Sequence, residues 1–292
     1  MTPKINILFI INPISGTGKK KIVEQLIKEE LTHSKFEVSI RYTEAVGHAT
    51  DIAQEGVKAR VDVIVAVGGD GSVNEVAKGL IGANVKMGII PAGSGNGFAR
   101  HLNIPMNQKK AVQLLNNLKS KPVDTASVND QLFVGTAGVG FDAHIGLKFD
   151  EAAKRGFWTY LKLTLKEYFS FKEQSYKITI DQKNTMNEKA FFMSFCNINQ
   201  WGNNVFVSPN SNIDDGLIRV VLIRKMNLLS VPFFAFRLFS KSVDKSKYYK
   251  EFSGKKVEVN QSINLIHIDG EPIRLGQNIF VEIKPLSLEV IQ

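Results

Sequence analysis

Two short turns carry the residue types best suited to chemistry. In the first, Gly68-Gly69-Asp70-Gly71-Ser72-Val73-Asn74-Glu75 follows the β-branched run Val63–Val67. Three glycines leave no side chain between backbone and ligand, so amide groups can approach a phosphate closely. Asp70 places a carboxylate in that turn, where it would meet a magnesium nucleotide rather than a bare anion. Ser72 or Asn74 can cap the helix expected to follow, whose positive end also favours phosphate. A plain strand-to-helix turn explains the same residues, because Gly-Gly and Asp-Gly are ordinary turn formers. In the second turn, Asp269-Gly270-Glu271 follows the apolar run Ile263–Ile268. Two carboxylates one glycine apart can face one cleft, and their repulsion would raise one pKa toward the working range of a base. A type I′ hairpin turn accounts for it too.

A second glycine-rich loop, Pro91-Ala92-Gly93-Ser94-Gly95-Asn96-Gly97-Phe98-Ala99-Arg100, comes one strand after the first. It is no dinucleotide fingerprint, since Phe98 stands where the third glycine belongs. Gly16-Thr17-Gly18-Lys19-Lys20 is no P-loop either: position 13 is Pro, and no Ser or Thr follows Lys19.

These turns need elements to position them. Residues 5–11, 36–42, 61–67, 86–90 and 122–128 read as short apolar strands. Residues 19–32, 48–60, 73–82, 95–101 and 108–119 carry helix-like apolar spacing. Such alternation predicts a parallel sheet covered on both faces, with ligands beyond the carboxyl ends of its strands. Both glycine loops fall there. After residue 128 the texture becomes strand-rich, with runs near 131–139, 175–181, 189–198, 216–223, 256–260, 263–268 and 279–291. Helical stretches near 149–170 and 226–243 interrupt it. The pattern predicts two domains, 1–128 and 129–292, within what 292 residues allow.

Composition is that of an ordinary globular protein, 43% hydrophobic and 22% charged. One cysteine, Cys196, rules out an internal disulfide and reads as a buried thiol in the apolar run 190–196. The apolar run Ile5–Ile11 continues into Asn-Pro and lacks a signal-peptide cleavage site. Leu228–Phe239 contains Ser230, Pro232 and Arg237 and is too short to span a bilayer. The expectation is a cytoplasmic protein.

The net charge of +9 is uneven: from Arg224 to Lys256, nine basic residues face only Asp244 and Glu251, a surplus of seven. They surround an aromatic segment, Phe233–Phe239 and Tyr248-Tyr249. Basic residues flanking an aromatic helix suit an anionic membrane surface, at roughly 1 kcal/mol per well-placed Lys or Arg. A solvated face beside a core-packing helix is the plainer alternative. No nucleic-acid module accompanies the charge, so a nucleic-acid partner is not expected.

As an ordered set, Asn12-Pro13-Ile14-Ser15-Gly16, Gly68-Gly69-Asp70-Gly71 with Asn74-Glu75, and Gly93–Arg100 resemble the diacylglycerol kinase catalytic-domain family, which includes bacterial soluble lipid kinases and the sphingosine and ceramide kinases. Resemblance continues through Thr43, His48, Gly138-Val139-Gly140-Phe141-Asp142, Asp214-Asp215-Gly216-Leu217 and Asp269-Gly270-Glu271, covering nearly the whole chain. It implies an α/β fold: a Rossmann-like parallel-sheet nucleotide domain, then a β-sandwich, with the active site in a cleft between them. The implied activity is ATP- and Mg²⁺-dependent phosphorylation of a lipid alcohol, such as diacylglycerol or a sphingoid or ceramide lipid, in phospholipid biosynthesis. The lipid would be met by peripheral contact with the membrane.

The resemblance assigns nucleotide binding to Asn12, Pro13, Ser15, Gly16, Thr43, Gly68, Gly69, Asp70, Gly71, Ser72, Asn74, Glu75, Gly93, Ser94 and Asn96. Asn74 and Glu75 also suit helix capping and first-turn positions. Catalysis falls to Glu271 as proton acceptor, with Asp269 as metal-organising carboxylate or the base itself, and to Asp70. His267 reads as a strand side chain outside catalysis. A structural Mg²⁺ site is implied at the Asp215 carboxylate with the backbone carbonyls of Asn212 and Leu217, oxygen ligands suiting a hard cation; an Asp-Gly turn opening a strand is the alternative. One departure stands out. Many bacterial members carry an acid where this chain has Gly97, and threonine where it has Ser94; Gly-Ser-Gly-Asn is closer to the sphingosine kinase form. Two other functions share parts of the pattern. An NAD kinase would use the Gly-Gly-Asp-Gly and Asn-Glu elements, and a non-catalytic nucleotide- or lipid-binding regulator could keep the fold. Oligomeric state is left open, a homodimer included.

Overall fold

A computed structural model describes residues 3–14, 20–151 and 157–292. The chain forms two compact units, one of residues 1–125, 201–203 and 285–292, the other of 126–200 and 204–284. In the first, strands β1 (Ile5–Ile11), β2 (Phe36–Tyr42), β3 (Val63–Gly68) and β4 (Lys86–Pro91) alternate with helices α1 (Lys20–Glu30), α2 (His48–Lys58) and α3 (Asp70–Leu80). Helices α4 (Gly97–His101) and α5 (Gln108–Leu115) follow β4, and β5 (Ser120–Val128) leads out of the unit. The strands are parallel in the order β2-β1-β3-β4. Every residue of β3 is buried, as a strand covered on both faces requires. Val23, Ile27 and Leu31 from the α1 side and Ala111, Val112 and Leu115 of α5 pack on Ile7, Phe9 and Val65. Ala49, Ile52 and Ala53 of α2 and Val73, Val76, Ala77 and Leu80 of α3 are buried as well.

The second unit is a β-sandwich. Its elements are β6 (Gln131–Phe133), β7 (Thr136–Gly140), α6 (Phe141–Asp150), α7 (Phe157–Ser170), β8 (Gln174–Ile180), β9 (Asn184–Ala190), β10 (Phe192–Cys196), β11 (Ile218–Ile223), α8 (Val231–Phe239), β12 (Tyr249–Gly254), β13 (Lys256–Asn260), β14 (Leu265–Ile268), β15 (Glu271–Arg274) and β16 (Asn278–Ile291). One antiparallel layer runs β16-β13-β8-β9, the other β12-β11-β10-β7-β14-β15. Alternate residues of both layers, Val139, Phe195, Val220 and Ile266 against Ile178, Val257 and Val281, form one core. The last residues of β16 belong to the first unit, where Val290 pairs in parallel with Met87 of β4.

Several element boundaries differ from the sequence reading. The helix expected from residue 73 begins at Asp70. The stretch 226–243 holds a single α-helix of nine residues, preceded by a 3-10 turn at Leu228–Ser230. Helix α6 and strands β9, β12 and β15 were not anticipated. All three strands lie at the outer edges of their layers, where half-solvated backbone needs no continuous apolar pattern.

Candidate active site

The carboxyl ends of β1, β2, β3 and β4 bring Asn12, Thr43, Gly68 and Pro91 to one edge of the parallel sheet. The chain turns in opposite directions after β1 and after β3, so the edge between these two strands is the topological switch where such sheets hold ligands. Asn12 bridges it: its Nδ2 donates to Ser72 Oγ (3.2 Å), its backbone N–H to Val67 O (3.1 Å), and its Oδ1 accepts from Ile14 N–H (2.9 Å). Thr43 is buried beside it and donates its N–H to Ile11 O (3.0 Å). Pro13 follows Asn12 and is half-buried. Ser15 and Gly16 lie outside the described residues.

The two glycine loops touch backbone to backbone. A Cβ added at Gly93 would lie 2.5 Å from Gly69 Cα, and one at Gly69 would lie 3.2 Å from Gly93 Cα. At these positions glycine is required by loop-on-loop contact. Ala92 N–H also bonds Gly68 O (2.8 Å). Asn96, at φ 52°, staples its own loop, its Oδ1 accepting from Gly93 N–H (3.1 Å) and its Nδ2 donating to Gly93 O (2.8 Å). Ser94 lies exposed between them. The Gly95 carbonyl accepts from Arg100 Nε (3.0 Å) and from Asn203 N–H (3.2 Å). That second contact brings Trp201–Asn203 from far along the chain onto the loop. Sequence reasoning missed this support; the Trp201-Gly202-Asn203-Asn204 run, with its turn-forming residues, was the only local sign.

Asp70 opens α3, and Gly71 lies inside the helix beside it. The helix is capped at Gly69 without a side-chain bond, so the expectation that Ser72 or Asn74 would cap it is corrected. The glycine pair turns the chain so early that both residues fall within the helix. Phe98 N–H reaches Asp70 Oδ1 at 3.4 Å. Burial pushes the Asp70 carboxyl above its ordinary range, and the N–H groups of Phe98, Asn96 and Gly97 pull it back only in part. A desolvated carboxylate at a helix start, ringed by glycine backbone, fits a site for a divalent cation carrying phosphates. The Gly97 backbone N–H is among the groups that favour the charged form of Asp70.

Asn74 is buried in α3. Glu75 points to the start of α2, its two oxygens accepting from Gly47 N–H (2.9 Å) and Ala49 N–H (3.1 Å), while Thr50 Oγ1 donates to the Glu75 carbonyl (2.8 Å). A carboxylate there satisfies open N–H groups at the positive end of a helix.

In the second unit, Asp269 and Gly270 both have positive φ (47° and 89°), as a two-residue type I′ turn joining β14 to β15 requires. The two carboxylates of this turn are not equivalent. Asp269 Oδ1 accepts from Gly135 and Thr136 N–H (both 2.9 Å) and Oδ2 from Val134 N–H (3.0 Å). Glu271 is exposed. His267, two residues before the turn, is buried with Nε2 2.9 Å from Asp142 Oδ2, consistent with a packed strand side chain. Cys196 is fully buried, which pushes its thiol up to about 12, far from a working nucleophile.

The Asp214-Asp215-Gly216-Leu217 turn precedes β11. Asp215 Oδ1 accepts from Leu217 N–H (3.0 Å), and its Oδ2 lies 2.5 Å from Arg219 Nη2. Asn212 lies in the same turn-rich segment.

Comparison with known proteins finds a family model for each half of the chain. The family model for the diacylglycerol kinase catalytic domain matches residues 6–128, and that for the YegS C-terminal NAD kinase beta sandwich-like domain matches residues 135–292. A Bacillus subtilis protein named diacylglycerol kinase is 30% identical over 271 residues, 90% of this chain and 88% of its own length. A Serratia proteamaculans protein, named Probable lipid kinase YegS-like, is 28% identical over 99% of this chain and 94% of its own. A crystal structure of a candidate diacylglycerol kinase from Bacillus anthracis superposes with a TM-score of 0.81 at 26% identity, covering 100% of this chain and 96% of that one.

Proposed function

From this chain's membership of the diacylglycerol kinase catalytic-domain family, which makes it a kinase, we propose that it transfers the γ-phosphoryl group of ATP to the hydroxyl of a lipid alcohol, with diacylglycerol and sphingoid or ceramide lipids as the acceptor classes. The observation that carries the reading is the interlocked pair of glycine loops at the topological switch, with the half-buried Asp70 carboxylate between them. Backbone N–H groups and the start of α3 suit polyphosphate. Magnesium bound with the nucleotide supplies charge neutralisation at the phosphates. Asn12, Thr43 and Asn96 fix the loop walls.

The acceptor hydroxyl must lose a proton as its oxygen bonds the γ-phosphorus and the bond to ADP breaks. Glu271 suits that proton: it is exposed, whereas both oxygens of Asp269 are occupied by backbone N–H groups. Asp269 thereby holds the turn that presents Glu271. We read α8 as the part that meets the membrane, since Phe233, Phe236 and Phe239, spaced by three residues, are 74%, 71% and 59% exposed amid basic residues. The test is direct. The protein with labelled ATP, Mg²⁺ and a panel of lipid alcohols should yield a labelled phospholipid from one class. A panel that stays unlabelled, with label passing to NAD instead, would reject the lipid reading.

A further inference from the structure

The Asp215 turn is where the family resemblance implies a structural divalent cation, yet its residues do not fit one. Gly216, at φ 68°, folds the turn so that Leu217 N–H donates to Asp215 Oδ1. The other oxygen lies 2.5 Å from the Arg219 guanidinium, four residues on, and the two side chains are only 23% and 14% exposed. A magnesium ion demands near-octahedral oxygen ligands at about 2.0–2.1 Å. Here one oxygen already holds an amide hydrogen and the other a permanent cation. A divalent ion on that carboxylate would sit within a few ångströms of a guanidinium that cannot lose its proton.

The surroundings of Arg219 point the same way. Its strand neighbours Ile218 and Val220 face the sandwich core, so Arg219 lies on the opposite face, paired in register with Cys196 on one side and Ser253 on the other, both uncharged. Its Nη1 is buried with no hydrogen-bond partner among the described residues. Among the described residues, Asp215 is the carboxylate paired with this guanidinium, and removing either partner leaves a poorly solvated charge.

We propose that Arg219 is the internal cation of the Asp215 turn, taking the place of a structural metal ion, so that the fold of the second unit draws on no divalent ion. The inference uses family membership only for the expectation of a metal there and is independent of the phosphoryl-transfer reading.

Thermal unfolding of the nucleotide-free protein tests it, in EDTA and in a titration of MgCl₂ or CaCl₂. The wild-type Tm should be the same with and without metal, or should shift equally in wild type and Asp215→Asn, which marks binding elsewhere. Arg219→Ala should lower Tm in EDTA by about 5 °C or more. A saturable wild-type rise with Mg²⁺ or Ca²⁺ that Asp215→Asn abolishes would overturn the proposal. So would an Arg219→Ala protein as stable in EDTA as the wild type. Should Arg219→Ala not fold, the comparison of wild type with Asp215→Asn still decides. Neither measurement involves nucleotide or acceptor, so failure of the kinase reading would leave both outcomes unchanged.

Discussion

Asp70 pays in stability for its position, and the sign of that cost can be measured. Burial holds its carboxyl above the unfolded-state value. Stability linked to this group is therefore fully present below the usual carboxylate range and is lost as pH rises through the raised folded value. Asp70→Asn should raise the Tm of the nucleotide-free protein at pH 7, with the gain shrinking as the scan moves to about pH 4 and below, near the ordinary carboxylate value. The same substitution should lower kcat by about 10²–10³-fold, the scale of deleting one preorganised electrostatic group. A variant with wild-type turnover would show that Asp70 lies outside the reaction. The two carboxylates of the 269–271 turn should separate cleanly. Glu271→Gln should cost roughly 10²–10⁴-fold in kcat with nucleotide affinity and Tm unchanged. Asp269→Asn should cost stability, about 1–3 kcal/mol in denaturant unfolding, because an amide cannot receive all three N–H groups. A large turnover loss for Asp269→Asn at full stability, with Glu271→Gln nearly silent, would reverse the two roles.

Among the elements, α8 combines exposed phenylalanines with a charged setting that is less free than its sequence suggests. Lys250 pairs with Glu188 and Lys256 with Glu282. Lys241 lies over the Phe206 ring, and Arg237 Nη1 donates to Ser242 O. Part of the basic surplus is thus held locally, which places more of any membrane affinity on Phe233, Phe236 and Phe239. Replacing these three with Ser should reduce binding to anionic vesicles by about tenfold or more, since each ring represents roughly 1.5–3 kcal/mol of apolar transfer when fully buried. Surface substitutions of this kind usually change stability by no more than about 0.5 kcal/mol, and turnover of a short-chain, water-soluble acceptor should persist. Unchanged vesicle binding would leave α8 as a solvated face. Elsewhere, elements legible in the sequence were those buried on a repeating face, such as β3 and α2. The unread strands β9, β12 and β15 are edges, and their polar residues carry no period-two apolar signal.

At the scale of the whole molecule, the first unit depends on residues from the far end of the chain. Leu288, Val290 and Ile291 are buried, Gln292 N–H bonds Lys119 O, and Leu286 N–H bonds Asp124 Oδ1. Each buried aliphatic side chain is worth roughly 1.5–3 kcal/mol, against a net stability of about 5–15 kcal/mol for a typical domain. Ending the chain after residue 284 should therefore unfold the first unit or lower its Tm by more than about 10 °C. Hydrogen exchange should show β4 amides losing protection first. A truncated chain that melts like the full one would show that these residues add nothing to the sheet.

Read alone, the sequence determined the α/β half, the strand-rich half, both glycine loops and their place beyond the strand ends. Each is written in local periodicity: a strand buried on both faces must be a continuous apolar run, and a tight turn must use residues that turn. What each carboxylate does there was decided by tertiary structure. The N–H groups on Asp269 come from residues 133 to 135 positions earlier, those on Glu75 from 26 and 28 positions earlier. Glycine at 69 and 93 is explained by one loop lying on the other, and Asp215 by a guanidinium across its own turn. Apolar spacing records which side of an element is covered, but a polar atom's role depends on which donors or charges the fold brings within about 3 Å of it.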